Sequence, residues 1–212
     1  MRSLRLRQVS LSIGPRRLVS GLSADIAPGE CLTVMGPSGC GKSSLLAWIS
    51  GTLDAAFTAT GHVMLGERVL DALPPERRGL GILFQDDLLF PHLTVGGNLG
   101  FALPAAVRGR AERRRRIDEA LRSAGLEGFA ARDPATLSGG QRARVALLRT
   151  LLAEPQALLL DEPFSKLDTA LRAEFRELVF AHARDRRLPT LLVTHDEADA
   201  RAAGGVVLRL GD

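Results

Sequence analysis

Eight residues, Gly36-Pro37-Ser38-Gly39-Cys40-Gly41-Lys42-Ser43, stand directly behind the apolar run Cys31-Leu32-Thr33-Val34-Met35 and directly before Ser44-Leu45-Leu46-Ala47-Trp48-Ile49. A short apolar run bounded by turn residues reads as a buried parallel strand. The segment from Ser43 to Ile49 reads as a helix. Strand, glycine loop and helix in succession are the setting of a phosphate-binding loop. Its glycines let backbone N–H groups surround a β-phosphate, and the helix start adds a positive dipole end. Lys42 is placed to reach the β- and γ-phosphates. Ser43 is placed to ligate Mg²⁺, with Ser44 opening the helix behind it. A nucleoside triphosphate with Mg²⁺ is the expected ligand.

A second segment completes such a site. Leu158-Leu159-Leu160-Asp161-Glu162 delivers two carboxylates at the end of an apolar strand, where ligands of α/β sheets bind. Asp161 suits a Mg²⁺ ligand, direct or through water, and Glu162 suits a group that orients the attacking water.

The remaining chain alternates strand and helix patterns. Leu4 to Ile13 alternates like an edge strand, and Gly81-Ile82-Leu83-Phe84 reads as a buried strand ending at Gln85. Further strands are expected at 157–160, 190–193 and 206–210, with helices at 169–183 and 196–203. This alternation predicts an α/β fold with a mainly parallel sheet. Between about 86 and 152 the pattern changes. A Pro/Gly-punctuated stretch around Pro91 and Gly96-Gly97 is followed by an Arg-rich helix over about 111–124 and a helix over 141–153. The expected organisation is one domain, with a core of 1–85 and 153–212 and an inserted helical subdomain of 86–152.

Composition excludes several classes. A chain of 212 residues with 45% hydrophobic and 25% charged residues suits one soluble core. No apolar run approaches the roughly 20 residues of a membrane span. The first residues alternate basic and apolar side chains without a secretory h-region, which favours a cytosolic protein. Two cysteines, Cys31 and Cys40, make no disulfide framework. The net charge is +4, and of 28 basic residues only Lys42 and Lys166 are lysines. The basic residues are spread along the chain, and the densest cluster, Arg108 to Arg116, reads as a solvated helix face.

Leu137-Ser138-Gly139-Gly140-Gln141 resembles the signature of the ATP-binding cassette (ABC) family. As a local structure it is also a helix N-cap with Ser138 as the cap, and a capped helix start is an anion site. Other landmarks of the family follow in order. Gln85 resembles the glutamine that senses Mg²⁺ and the attacking water. Ser165-Lys166-Leu167-Asp168 resembles the loop that couples the two ATP sites. Val193-Thr194-His195-Asp196 resembles the switch segment, with His195 at the γ-phosphate. The other histidines, His62, His92 and His182, match no family position. The resemblance covers nearly the whole chain. It implies a P-loop NTPase core with antiparallel strands at the N-terminus, and a head-to-tail homodimer in which Ser138, Gly139, Gly140 and Gln141 of one subunit meet the γ-phosphate held by the other. Glu162, His195, Gln85 and Lys42 are the implied catalytic residues. Residues 36–44, the signature, Asp168 and Ile13 are implied to contact the nucleotide, and Ser43, Gln85 and Asp161 the metal.

Two positions depart from the family. The residue that stacks on adenine is normally aromatic, but the chain has no tyrosine and the aligned residue is Ile13. Isoleucine gives apolar contact without π-stacking, so weaker adenine discrimination is expected, with Arg16 or Arg17 as alternative cover for the base. Cys40 lies inside the phosphate loop beside Lys42 and a helix start, a setting that favours thiol alkylation.

Asp133-Pro134-Ala135-Thr136, the stretch Phe90 to Leu99 and Glu162-Pro163-Phe164-Ser165 resemble bacterial importer ATPases. The nearest subfamily is a little-characterised bacterial group placed alongside thiamine-type importers. In the family the stretch after the glutamine helps form the groove for the permease's coupling helix. The resemblance therefore implies a cytoplasmic ATPase peripheral on the inner face of the cell membrane. Its partners would be permease subunits and an extracytoplasmic substrate-binding protein, with no nucleic acid. The chain ends soon after Leu210, without room for the C-terminal regulatory domain of some sugar and sulfate importer ATPases. A soluble cassette ATPase acting on nucleic acid or ribosomes, a non-catalytic regulatory cassette and an exporter half are the alternatives.

Overall fold

The computed structural model describes residues 2–211, and the described residues form two sheets and seven α-helices. The first sheet is antiparallel, in the order β2-β1-β4-β5, from β1 (Leu4–Ile13), β2 (Arg16–Ile26), β4 (Phe57–Leu65) and β5 (Arg68–Val69). The second has the order β6-β7-β8-β3-β9, from β3 (Cys31–Met35), β6 (Leu80–Leu83), β7 (Ala157–Asp161), β8 (Thr190–Val193) and β9 (Val206–Arg209). In this sheet β7, β8, β3 and β9 run parallel.

β1 is not the edge strand that its alternation suggests. It lies between β2 and β4 and pairs antiparallel with both. Its buried residues are Leu4, Leu6, Val9 and Leu11, so the alternation slips by one at Gln8, where φ is 50°. The extra residue is a bulge, and the Ser23 hydroxyl accepts from both the backbone N–H and the side-chain amide of Gln8. The facing residue is Gly61 (φ 98°), where a Cβ would sit 2.6 Å from the carbonyl oxygens of both Arg7 and Gln8. The bulge therefore admits only glycine opposite it. Conversely, β6, expected as a buried strand, lies at the edge of its sheet, with Phe84 beyond it and exposed.

The chain divides into two compact units. The first takes the residues up to Ile82, then Gln156–Glu162, and the residues from Phe180 onward. Its core joins the apolar faces of both sheets around Leu4, Leu6, Val34, Leu159, Leu191 and Val193. The helix α1 (Lys42–Ser50) packs its Leu45, Leu46 and Ile49 into this core. The short α2 (Pro75–Arg78) precedes β6, and α7 (Glu197–Ala203) precedes β9. Arg78 is buried, and its guanidinium donates to the carbonyls of Trp48, Ile49, Asp71 and Leu73. It therefore satisfies the last carbonyls of α1, which a helix end leaves without partners.

The second unit holds Leu83–Pro155 and Pro163–Val179. It contains α3 (Val95–Ala102), α4 (Arg110–Ser123), α5 (Gly139–Leu152) and the first part of α6 (Thr169–Asp185). Its core is Val95, Leu99, Leu121, Leu126, Val145 and Leu148. The segment punctuated by glycines is a helix, α3, although Gly96, Gly97 and Gly100 disfavour one. Tertiary bonds override propensity there. Thr94 caps the helix by accepting from the Gly97 N–H, and the fully buried Asn98 bonds the N–H and carbonyl of Phe90 and the carbonyls of Leu93 and Thr94.

Candidate nucleotide site

Three neighbouring parallel strands place the first group of site residues. β7, β8 and β3 lie side by side, with Asp161 paired to Val193 and Val193 to Val34. Their carboxyl ends therefore open onto one edge, the edge where α/β sheets bind ligands. β3 leads through Met35 into the loop 36–41, and α1 begins at Lys42. Gly36, Gly39 and Gly41 have φ of 154°, 77° and 104°. At Gly36 a Cβ would meet the Leu210 carbonyl oxygen at 2.4 Å and the Cys40 sulfur at 2.8 Å, so the loop requires glycine there.

Lys42 is buried, with its ammonium curled into the loop and donating to the carbonyls of Gly36 at 2.9 Å and Pro37 at 3.0 Å. Ser43 Oγ donates to Asp161 Oδ1 at 3.1 Å across a separation of 118 residues. Burial pushes the Asp161 carboxyl above its ordinary value. The neighbouring Glu162 charge adds to this, against the Ser43 hydrogen bond and the Lys42 charge. Glu162 follows β7 in the left-handed region (φ 45°), with its N–H bonded to the Val193 carbonyl at 3.0 Å. A glutamate there is strained backbone held by its surroundings. Its Oε2 lies 3.1 Å from His195 Nδ1. Thr194, before His195, is buried and donates to Asp199 Oδ2 at 3.0 Å, while its own Oγ1 accepts from the Asp196 N–H. The Thr194–Asp199 pair steadies the histidine loop. The motif reading missed it, although an aspartate three residues into the helix after a Thr-His-Asp segment was visible.

The other positions are equally definite. Ser38 is exposed on the loop, and Ser44 lies in the first turn of α1. Cys40, the thiol expected to react with alkylating reagents, is buried. Ile13 is 38% exposed at the end of β1 and pairs with Arg16 across the Gly14-Pro15 turn. Arg16 reaches over to donate to the Gly39 carbonyl of the phosphate loop at 3.1 Å.

Gln85, the signature and Asp168 belong to the second unit. Gln85 is exposed just beyond β6. Ser138 caps α5 by accepting from the Gln141 N–H, and Gln141 Oε1 accepts from the Ser138 N–H, a reciprocal capping box. The N–H groups of the first turn, at Gly139 and Gly140, have no intrahelical acceptor by geometry, the condition for an anion site at a helix start. Asp168 accepts from the Leu171 N–H at the start of α6. Pro163-Phe164-Ser165 is held by Phe164, fully buried and edge-on to Phe175.

No helix among the described residues is long and apolar enough to cross a membrane. The family model for the ABC transporter matches residues 19–165. The uncharacterized ABC transporter ATP-binding protein YnjD of Escherichia coli is 52% identical over 95% of this chain and 93% of its own length. An sn-glycerol-3-phosphate import ATP-binding protein of Agrobacterium fabrum is 40% identical over 94% of this chain and 53% of its own length. A diacetylchitobiose uptake system ATP-binding protein of Streptomyces coelicolor is 42% identical over 92% of this chain. The chain spans about half the length of these last two, 53% and 50%. With a phosphate loop, two carboxylates and a histidine on one sheet edge and a capped signature helix, the chain belongs to the ABC transporter family as an ATP-binding, ATP-hydrolysing subunit.

Proposed function

We propose that two copies of this importer-type ATPase close head to tail on two ATP molecules, and that closure drives a separate membrane permease from its cytoplasmic face. The observation that carries this is the division of labour within one chain. Ser43 binds Asp161 and Glu162 lies against His195 on one sheet edge, while a capping box closes the start of α5, where first-turn N–H groups lie beyond the reach of intrahelical acceptors. A partner's γ-phosphate fits that helix start.

In this reading Lys42 and the N–H groups of the loop hold the β- and γ-phosphates. Glu162, fixed by its backbone bond to β8, orients and polarises the attacking water. His195, steadied on Glu162 through Nδ1, turns its other ring nitrogen toward the γ-phosphate. The chemistry is phosphoryl transfer to water, promoted by positioning and electrostatics. Ser43 and Asp161 supply two hard oxygen donors. Among the described residues no cluster of three or more His, Cys, Asp or Glu side chains is present to cage a metal. An ion bound by few protein oxygens, with phosphate and water completing its shell, is the pattern of Mg²⁺. Mg²⁺ there would neutralise charge on the phosphates.

The permease reading is supported by apolar side chains in the second unit, with Leu88 56% and Phe101 70% exposed, and by relatives named for import and uptake. The nucleic-acid alternative loses its support in α4. Arg115 pairs with Glu112 and Glu119, Arg116 with Glu112 and Glu154, and Arg113 donates to the carbonyls of Val107 and Gly100. The hydrogen bonds from Arg115, then Arg116, hold the Glu112 carboxyl down to about 2.

The test is a pull-down of the tagged chain from detergent-solubilised membranes. A co-purifying multi-span permease is expected, and an extracytoplasmic binding protein with it would mark import. Recovery with ribosomes alone would overturn the transporter reading.

A further inference from the structure

The phosphate loop is touched by the strand end at which a nucleoside base would lie. Arg16, the first residue of β2, donates from Nη2 to the Gly39 carbonyl at 3.1 Å. Leu18 packs on the same loop, its Cβ lying 2.8 Å from the place of a Cβ on Gly41. The start of β2 is therefore set against the loop at Gly39 and at Gly41. Beside Gly39 the space is open, since a Cβ built there would meet nothing within 4 Å.

At this strand end Ile13 is the Cα partner of Arg16 on β2 and of Phe57 on β4. Residues directly opposite in an antiparallel sheet share a face, so Arg16, Ile13 and Phe57 stand abreast. Ile13 and Phe57 carry no side-chain hydrogen-bonding group. They offer a base an apolar surface and nothing that reads the donors and acceptors of its edge. Strong discrimination between similar ligands needs such polar contacts, because the wrong ligand then leaves a buried polar group unpaired. Arg17 pairs with Ser12, one step along, and successive strand side chains face opposite sides of a sheet. Of the two arginines, Arg16 is the one that stands beside Ile13.

Arg16 is exposed, and no carboxylate of the described residues pairs with it. A guanidinium has five N–H donors, and the Gly39 carbonyl engages one. A cation with spare donors thus stands beside a loop whose own N–H groups favour anions. A nucleotide runs from base through sugar to α-, β- and γ-phosphate. With the β-phosphate in the loop and the base at Ile13, a side chain that spans the two lies opposite the sugar and α-phosphate.

We propose that Arg16 binds the sugar and α-phosphate by charge-assisted hydrogen bonds, and that the site therefore takes ATP and GTP alike. Affinity comes from the part of the ligand that both nucleotides share. The inference rests on the nucleotide site and widens its substrate class from ATP to purine nucleoside triphosphates.

The test is equilibrium binding of ATP, ADP and GTP to the full chain by displacement of a fluorescent ADP analogue, with thermal melting of each variant as a check of folding. ATP and GTP should bind within about 5-fold of each other. Arg16→Met should weaken all three nucleotides by about 10-fold. The factor should be the same for ADP as for ATP, since both carry the α-phosphate, and the salt dependence of binding should flatten. Arg16→Lys should recover part of the loss, and Arg17→Met should cost less than about 2-fold. A parent chain that binds no ATP would overturn the nucleotide-site reading and this proposal together. A parent that binds ATP but prefers it to GTP by more than about 5-fold overturns the proposal alone. So does a folded Arg16→Met variant with undiminished affinity, or an equal loss in Arg17→Met. The base preference of the parent needs no variant, so it decides the matter even where Arg16→Met melts early.

Discussion

The two units hold their candidate functional groups by different means. In the first, side chains from distant parts of the chain bind one another directly, Ser43 to Asp161 and Glu162 to His195. In the second, the groups are secured by local main-chain caps. Ser138 and Gln141 bond each other's backbone N–H groups, and Asp168 caps the start of α6. The first arrangement suits a site that holds a reactive geometry, because each group depends on the positions of the others. The second suits a recognition element that must meet a partner as a finished piece. Long-range pairing fixes chemistry, and local capping fixes a donor surface.

The largest expected effect falls on the first unit. Glu162→Gln should lower ATP hydrolysis by about 10²–10³-fold, with ATP affinity retained, because it removes the water-orienting carboxylate and keeps the shape. Steady-state turnover with a parallel binding titration checks this, and a loss under about 3-fold would break the contrast between the units.

Next comes the support beneath the phosphate loop. Arg78→Met should destabilise the protein by about 2–4 kcal/mol, since four carbonyl bonds are lost and the last carbonyls of α1 stay buried. Denaturant unfolding measures it, and a cost below about 0.5 kcal/mol would show that α1 does not need the guanidinium.

Ser138→Ala tests the local cap. It should cost about 1 kcal/mol of helix stability, leave ATP binding by the monomer unchanged and weaken ATP-driven dimerisation. Equal damage to monomer binding would erase the distinction between a recognition cap and a reactive constellation.

The smallest effect is a pH dependence in the first unit. Burial holds the His182 imidazole below its ordinary value, with the Arg186 charge adding and Asp185 opposing. The unfolded chain takes up that proton first as pH falls through about 6.5. The stability conferred by neutral His182 is complete above that pH and declines below it, until the folded imidazole also protonates. His182→Gln should flatten the fall in stability below about pH 6.5, and an unaltered pH slope would remove His182 as its cause.

The phosphate loop, the Asp161-Glu162 pair and the Ser138 cap were legible in the amino-acid order because each is a contiguous motif whose glycines, carboxylates or cap perform a stated physical task. The α/β alternation and the parallel strands at Cys31–Met35, Ala157–Asp161 and Thr190–Val193 were legible for the same reason, since a strand buried on both faces must be an unbroken apolar run. Several features were decided only by packing between distant segments. β1 is central because β2 and β4 close on either side of it, and the slip at Gln8 is tolerated because Gly61 faces it. α3 survives three glycines because the buried Asn98 gathers the preceding loop. Residues 163–179 join the second unit through contacts such as Arg144 with Glu174 and Lys166 with Asp86. A strand or loop motif is a local property of backbone sterics and hydrophobic pattern. The partner of a buried amide or guanidinium is set by which carbonyls the folded chain leaves without bonds, and that exists only once the segments have met.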